Sequence, residues 1–134
     1  MKHRKREGKK SLSMPHPGYR PPRSESMGTA NPEPSLHTVG DFCEAMQTIV
    51  PAGLAQAWDN VGLIVGDAEA VMRKVLLAID LTKPVLEEAV EVNADLLLAY
   101  HPPIFNPIAS LRALSNGMDG LVFECIRAGI AIYS

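Results

Sequence analysis

The sequence predicts an α/β fold built on a mostly parallel sheet with crossover helices. Three observations carry that prediction. Short apolar runs of strand length alternate with segments of helical period along residues 36–134. Threonines stand where those helices should begin, and Gly or Asn where they should end. The run Lys74–Leu81 is almost unbrokenly apolar, as in parallel strands covered on both faces.

Taken in order, Thr38 is placed to cap a first helix over Val39–Val50, with Phe42, Met46 and Ile49 on one face. Pro51 and Gly53 stop it. Asp59-Asn60 is a turn signal before Leu63-Ile64-Val65, a run between two glycines that is too short for a helix and reads as a strand. Lys74–Leu81 is the second strand. Thr82 caps the next helix, and Pro84 falls in its first turn, where a missing N–H costs nothing. That helix runs to about Val92 and ends at Asn93. Asp95–Tyr100 forms a third strand, Asp119–Ala128 a second crossover helix stopped by Gly129, and Ile130–Tyr133 a fourth strand. Strand, helix, strand, helix, strand is the pattern of parallel strands joined by right-handed crossovers.

The chain has 134 residues, 46% hydrophobic and 21% charged, which excludes a chain disordered throughout. The averages conceal a split. Residues 1–35 carry eight basic side chains against three acidic, more than half of the eleven prolines and few large apolar groups. Such a segment buries too little surface to offset its ordering entropy and is expected to be a disordered basic tail. It has no apolar stretch behind its charges, as a signal peptide would. Nucleic-acid contact is expected, if anywhere, only through this tail. Residues 36–134 carry five basic and twelve acidic groups and form the folding unit. No run approaches the roughly 20 apolar residues of a membrane span, so no membrane partner is expected. Cys43 and Cys125 both sit in apolar helical patterns and read as buried free thiols of a reducing compartment, the cytoplasm.

Functional groups in a parallel sheet gather at the carboxyl ends of its strands. Those ends supply Asp80 with Thr82, Tyr100 with His101, and Tyr133 with Ser134, while Asp59 and Asn60 precede the first strand. His101 follows the Leu96-Leu97-Leu98-Ala99 strand and precedes Pro102-Pro103, which stiffens the exit. A histidine held there serves as a metal ligand, as a general base, or simply as a hydrogen-bonding loop residue. Asp80 reads as a metal ligand, as a partner that orients a histidine, or as an anion at the following helix terminus, the last being the commonest use. Gly62-x-x-x-Gly66 lacks the Gly-Lys-Ser/Thr ending of a phosphate loop. Ser134 has no positioned histidine or acid for a hydrolase triad.

Four blocks in order resemble the Nif three-like (Ngg-interacting factor three) family, often labelled GTP cyclohydrolase 1 type 2. Trp58-Asp59-Asn60-Val61-Gly62-Leu63-Ile64-Val65-Gly66 is similar to its W-D-N-V-G-L-x-V-G signature, and Asp80-Leu81-Thr82 to its D-x-T turn. Ala94-Asp95-Leu96 with Tyr100-His101-Pro102-Pro103-Ile104-Phe105 resembles its A-D-L and H-P-x-I-F block, and Ile130–Ser134 its strand ending in Y-S. The resemblance spans about residues 38–134. It implies an α/β domain assembled into toroidal homo-oligomers, with a pair of divalent metal ions (zinc, iron or manganese) facing the interior. It also implies hydrolase chemistry on a purine nucleotide such as GTP, or a binding and scaffold role. By motif, His101 corresponds to the second histidine of the family's H-H-P pair and is the expected metal ligand. Tyr100 stands at the first, and Asp80, Asn60 and Asp59 are its expected companions, behind the metal or on the substrate side. In the family Y-S is followed by H-T-x-x-D and, near the far end, by a histidine and a glutamate that complete the site. This sequence stops at Ser134, so the resemblance implies an incomplete fold, the front portion of a family member, without most of the metal ligands.

Overall fold

The computed structural model describes residues 36–113 and 116–134. The disorder expected for residues 1–35 lies outside the described residues. Helix α1 spans Val39–Ile49, and a 3-10 turn follows at Ala52–Leu54. Then come β1 (Leu63–Val65), β2 (Val75–Ala78), α2 (Lys83–Glu91), β3 (Leu96–Ala99), α3 (Met118–Ala128) and β4 (Ala131–Tyr133).

The helix boundaries follow from local chemistry. Thr38 accepts the Asp41 N–H at 3.1 Å, and the Asp41 carboxylate accepts the Thr38 N–H at 2.7 Å, a reciprocal capping box. That pairing with the Thr38 backbone holds the Asp41 carboxyl below its usual value. Thr82 caps α2 with Pro84 in its first turn. Asn93, at φ 55°, turns the chain out of α2, and Gly129 ends α3 in the left-handed region.

The four strands form one sheet in the order β1-β4-β3-β2. β2, β3 and β4 are parallel and joined through α2 and α3, while β1 pairs antiparallel with β4 across an irregular register. On one face, Leu86 and Ala89 of α2 and Val122 and Cys125 of α3 close over Leu97 and Ile132. On the other, Val39, Phe42, Cys43 and Met46 of α1 pack on Leu96, Ala131 and Tyr133. The central strands β3 and β4 are thereby covered on both sides.

Three expectations need correction. β2 is shorter than Lys74–Leu81 and lies at the sheet edge, with Leu77 71% and Ile79 61% exposed. Alpha-helix α1 reaches Val75 but leaves that outer part of the face open. Ile49 does not share the buried side of α1 with Phe42 and Met46; it is exposed. Of the two free thiols only Cys125 is buried, and Cys43 is half-buried. Among the described residues no helix is long and apolar enough to cross a membrane.

Candidate functional site

The carboxyl edge of the parallel strands brings together several of the residues named from the sequence. The exit of β3 runs alongside the exit of β2, with the Tyr100 N–H donating to the Ala78 carbonyl at 3.0 Å and the His101 N–H to the Ile79 carbonyl at 2.9 Å. This places the His101 Nδ1 2.9 Å from the Asp80 Oδ1. Asp80 is therefore a partner of His101. The Thr82 hydroxyl takes the α2 cap, and among the described residues the one hydrogen-bond partner of the Asp80 side chain is the imidazole. Both side chains are 58% exposed, so the pair is solvated and its geometry matters more than its contribution to stability.

The other candidates stand at different distances from this pair. The Tyr100 ring meets the imidazole edge-on, with centroids 5.0 Å apart, and is itself exposed. Asn60 comes in through the loop beyond the histidine: its Nδ2 donates to the Ile104 carbonyl at 2.5 Å. Trp58 contacts Phe105 of the same loop, with centroids 6.0 Å apart. Asp59 accepts the Asn60 N–H at 2.9 Å and faces a cavity rather than the histidine. Ser134 donates its hydroxyl to the Ala99 carbonyl at 2.9 Å, a structural bond that ties β4 to β3.

The cavity measures about 690 Å³ and lies between the end of α1 and the open face of β2. Met46, Val50, Leu77, Leu98 and Tyr133 form an apolar floor, with Asp59, Tyr100 and Ser134 as polar groups at its border. Tyr100 borders both the cavity and His101, whereas His101 and Asp80 lie outside the lining. Tyr133 is marked by its strand end, but the apolar wall contributed by Leu77 has no signal in the sequence, because periodicity does not show where a helix stops short of a strand. Ile104 and Phe105 stand in a recognisable motif, but a backbone carbonyl acceptor leaves no side-chain signature.

Among the described residues, no group of three or more His, Cys, Asp or Glu is arranged to hold a metal ion. A catalytic zinc site takes three protein ligands and a two-metal site more. His101 and Asp80 alone do not fit a metal pair. What they do fit is one imidazole of such a site with its orienting carboxylate.

Comparison with known proteins bears on the whole folded unit. The family model described as Duf34/NIF3 (NGG1p interacting factor 3) matches residues 37–134. The chain is 40% identical over 90 residues to NIF3-like protein 1 of Drosophila melanogaster, covering 66% of this chain and 30% of that protein. It is 43% identical over 96 residues to the GTP cyclohydrolase 1 type 2 homolog of Clostridium perfringens, covering 72% and 36%. Among solved structures, a Staphylococcus aureus hypothetical protein superposes with a TM-score of 0.71 at 32% identity, covering 75% of this chain and 28% of that one. A Bacillus cereus protein related to NIF3 gives 0.68 at 31%, covering 73% and 27%. The chain thus spans about a third of the length of the curated relatives it matches.

Proposed function

The chain belongs to the Duf34/NIF3 family, and on that premise we propose that residues 36–134 form the His101-bearing wall of a divalent-metal-dependent hydrolase site for a purine nucleotide. The observation that carries this reading is the 2.9 Å contact between His101 Nδ1 and Asp80 Oδ1 at the carboxyl edge of parallel strands. A carboxylate on Nδ1 holds the neutral imidazole as its Nδ1–H tautomer and leaves the Nε2 lone pair for a metal ion or a proton. A bound divalent ion (zinc, iron or manganese) would supply Lewis acidity and an activated water. His101 would hold one of its positions. The remaining donors have to come from outside the described residues, so no chemical step is assigned to this chain's residues alone. The purine nucleotide is supported by similarity to the GTP cyclohydrolase 1 type 2 homolog of Clostridium perfringens. A homo-oligomeric assembly and a cytoplasmic location accompany the reading as further proposals.

A second reading, a non-catalytic binding protein, is favoured by one observation: the imidazole of His101 has a single carboxylate partner among the described residues, while an apolar cavity opens beside the neighbouring Tyr100. A graft separates the two. Residues 37–134, placed in the Clostridium perfringens relative in exchange for its matching segment, are expected to sustain metal uptake and GTP turnover that His101→Ala abolishes. Metal and turnover retained after His101→Ala would overturn the hydrolase reading. A folded graft that binds nucleotide and never converts it would favour the second.

A further inference from the structure

We propose that Asn60 is a positioning residue for His101, acting through the loop that carries the histidine. The loop leaves β3 through Pro102 and Pro103, neither of which has an N–H to donate. It is therefore poor in donors of its own and is tied down from outside. The His101 N–H reaches the Ile79 carbonyl at 2.9 Å. Asn60, 44 residues earlier than Ile104, donates its side-chain amide to the Ile104 carbonyl at 2.5 Å. Trp58, two positions before Asn60, meets the ring of Phe105, the residue after Ile104.

The clamp is itself anchored. Asn60 is half-buried, and its own N–H is taken by the Asp59 carboxylate at 2.9 Å. Two residues on, the Gly62 N–H donates to the Ser134 carbonyl at 2.6 Å and the Ser134 N–H to the Gly62 carbonyl at 3.0 Å. Residues 58–62 thus bridge the end of β4 to the histidine loop. The imidazole needs this support because it is 58% exposed and packing alone does not orient it. Its direction depends on the Asp80 contact at 2.9 Å and on where the loop sets its backbone. Hydrogen bonds weaken steeply with misalignment, so a modest shift of the loop loosens the Nδ1 contact and the tautomer it selects.

The proposal rests on the reading of His101 as the working imidazole, but its readout needs neither metal nor turnover. The test is nitrogen–proton NMR of the histidine rings in the 134-residue chain, at a pH where imidazole is neutral. His101 signals are identified by their loss in His101→Gln. Asn60→Asp keeps the shape and removes the donor, and Asn60→Ser shortens it. In the parent chain the Nδ1–H form of His101 is expected to dominate. In both variants the ratio of Nδ1–H to Nε2–H should fall about threefold or more while far-UV helix content is kept. A purely local role for Asn60 would lower stability and leave the His101 ring signals unchanged, and that result would overturn the proposal. If neither variant keeps the fold, Phe105→Leu loosens the same loop at an exposed side chain. A shift in the same direction then supports the proposal, and an unmoved ring overturns it. Metal uptake insensitive to His101→Ala would sink the hydrolase reading without touching this measurement.

Discussion

His101 and Asp80 are 21 residues apart in the chain and meet at 2.9 Å because of register. β2 and β3 are parallel neighbours, and their last paired residues are Ala78 and Ala99. Asp80 and His101 each lie two positions beyond that pair. Both sit in the bends just past the strands, and the Tyr100 and His101 N–H bonds to Ala78 and Ile79 keep the two exits side by side, so matched strand ends bring the carboxylate to the imidazole. Four predictions follow from this arrangement and the packing beneath it.

Asp80→Asn should weaken zinc binding at His101 about 10–100-fold and leave the fold intact, since an amide orients an imidazole less firmly than a carboxylate and the side chain is exposed. Calorimetric zinc titration of the Clostridium perfringens graft, with and without Asp80→Asn, checks it, because the graft supplies the ligands that the described residues lack. Equal affinities would show that Asp80 does not orient the ligand.

Gly66→Ala should destabilise the chain by about 2–4 kcal/mol, from overpacking and left-handed strain together. A Cβ there would lie 2.6 Å from the Cβ of Ala131, and φ is +131°. Gly62, at φ +104°, meets nothing within 4 Å, so Gly62→Ala should cost only the strain, about 1–2 kcal/mol. Urea unfolding of both variants gives the comparison, and the prediction fails if Gly62→Ala is the more damaging.

Leu97→Ala and Leu77→Ala remove the same atoms from adjacent strands of one sheet. Leu97 is 0% exposed, and its loss should cost about 2–5 kcal/mol. Leu77 is 71% exposed, and its loss should cost less than about 0.5 kcal/mol. Similar losses at the two positions would mean that the open face of β2 is covered in solution.

The thiols should differ in reactivity and in pH response. Burial, with the Glu124 charge adding to it, pushes the Cys125 thiol from 9.0 up to about 11, whereas Cys43 is raised less and is half-buried. A maleimide should modify Cys43 in the native chain and Cys125 only as the chain unfolds. The folded state binds the Cys125 proton more tightly than the unfolded state. Its contribution is therefore complete below the ordinary value and is lost as pH rises towards about 11. Denaturant midpoints should fall between about pH 9 and about pH 11, and Cys125→Ala should flatten that fall. A slope that persists in Cys125→Ala would assign the effect to another group, with Tyr133, also raised by burial, the first to test.

Much of the fold is legible because its signals are local. Thr38, Thr82 and Gly129 act on backbone groups within four or five residues, so caps and stops place the helices to within about a residue. The residues of the site are legible for a related reason: His101 stands at a strand end before two prolines, and its neighbours belong to recognisable blocks. Asp80 shows where local logic fails. Its place before a helix is compatible with a terminal anion and with a histidine partner alike, and only the strand pairing shows the carboxylate 2.9 Å from the imidazole.

The sequence by itself determined which segments become helices and strands, where they stop, and which side chains could carry chemistry, because each of these depends on neighbours along the chain. The tertiary structure alone decided that β1 runs antiparallel beside β4, that Leu77 and Ile79 of an apolar run face outward, and that Asn60 holds Ile104. Periodicity says that a face is apolar but not which element will cover it, and an Asn side chain satisfies any carbonyl within reach. Those outcomes are set by the distance between elements far apart in sequence, which only packing of the whole domain fixes.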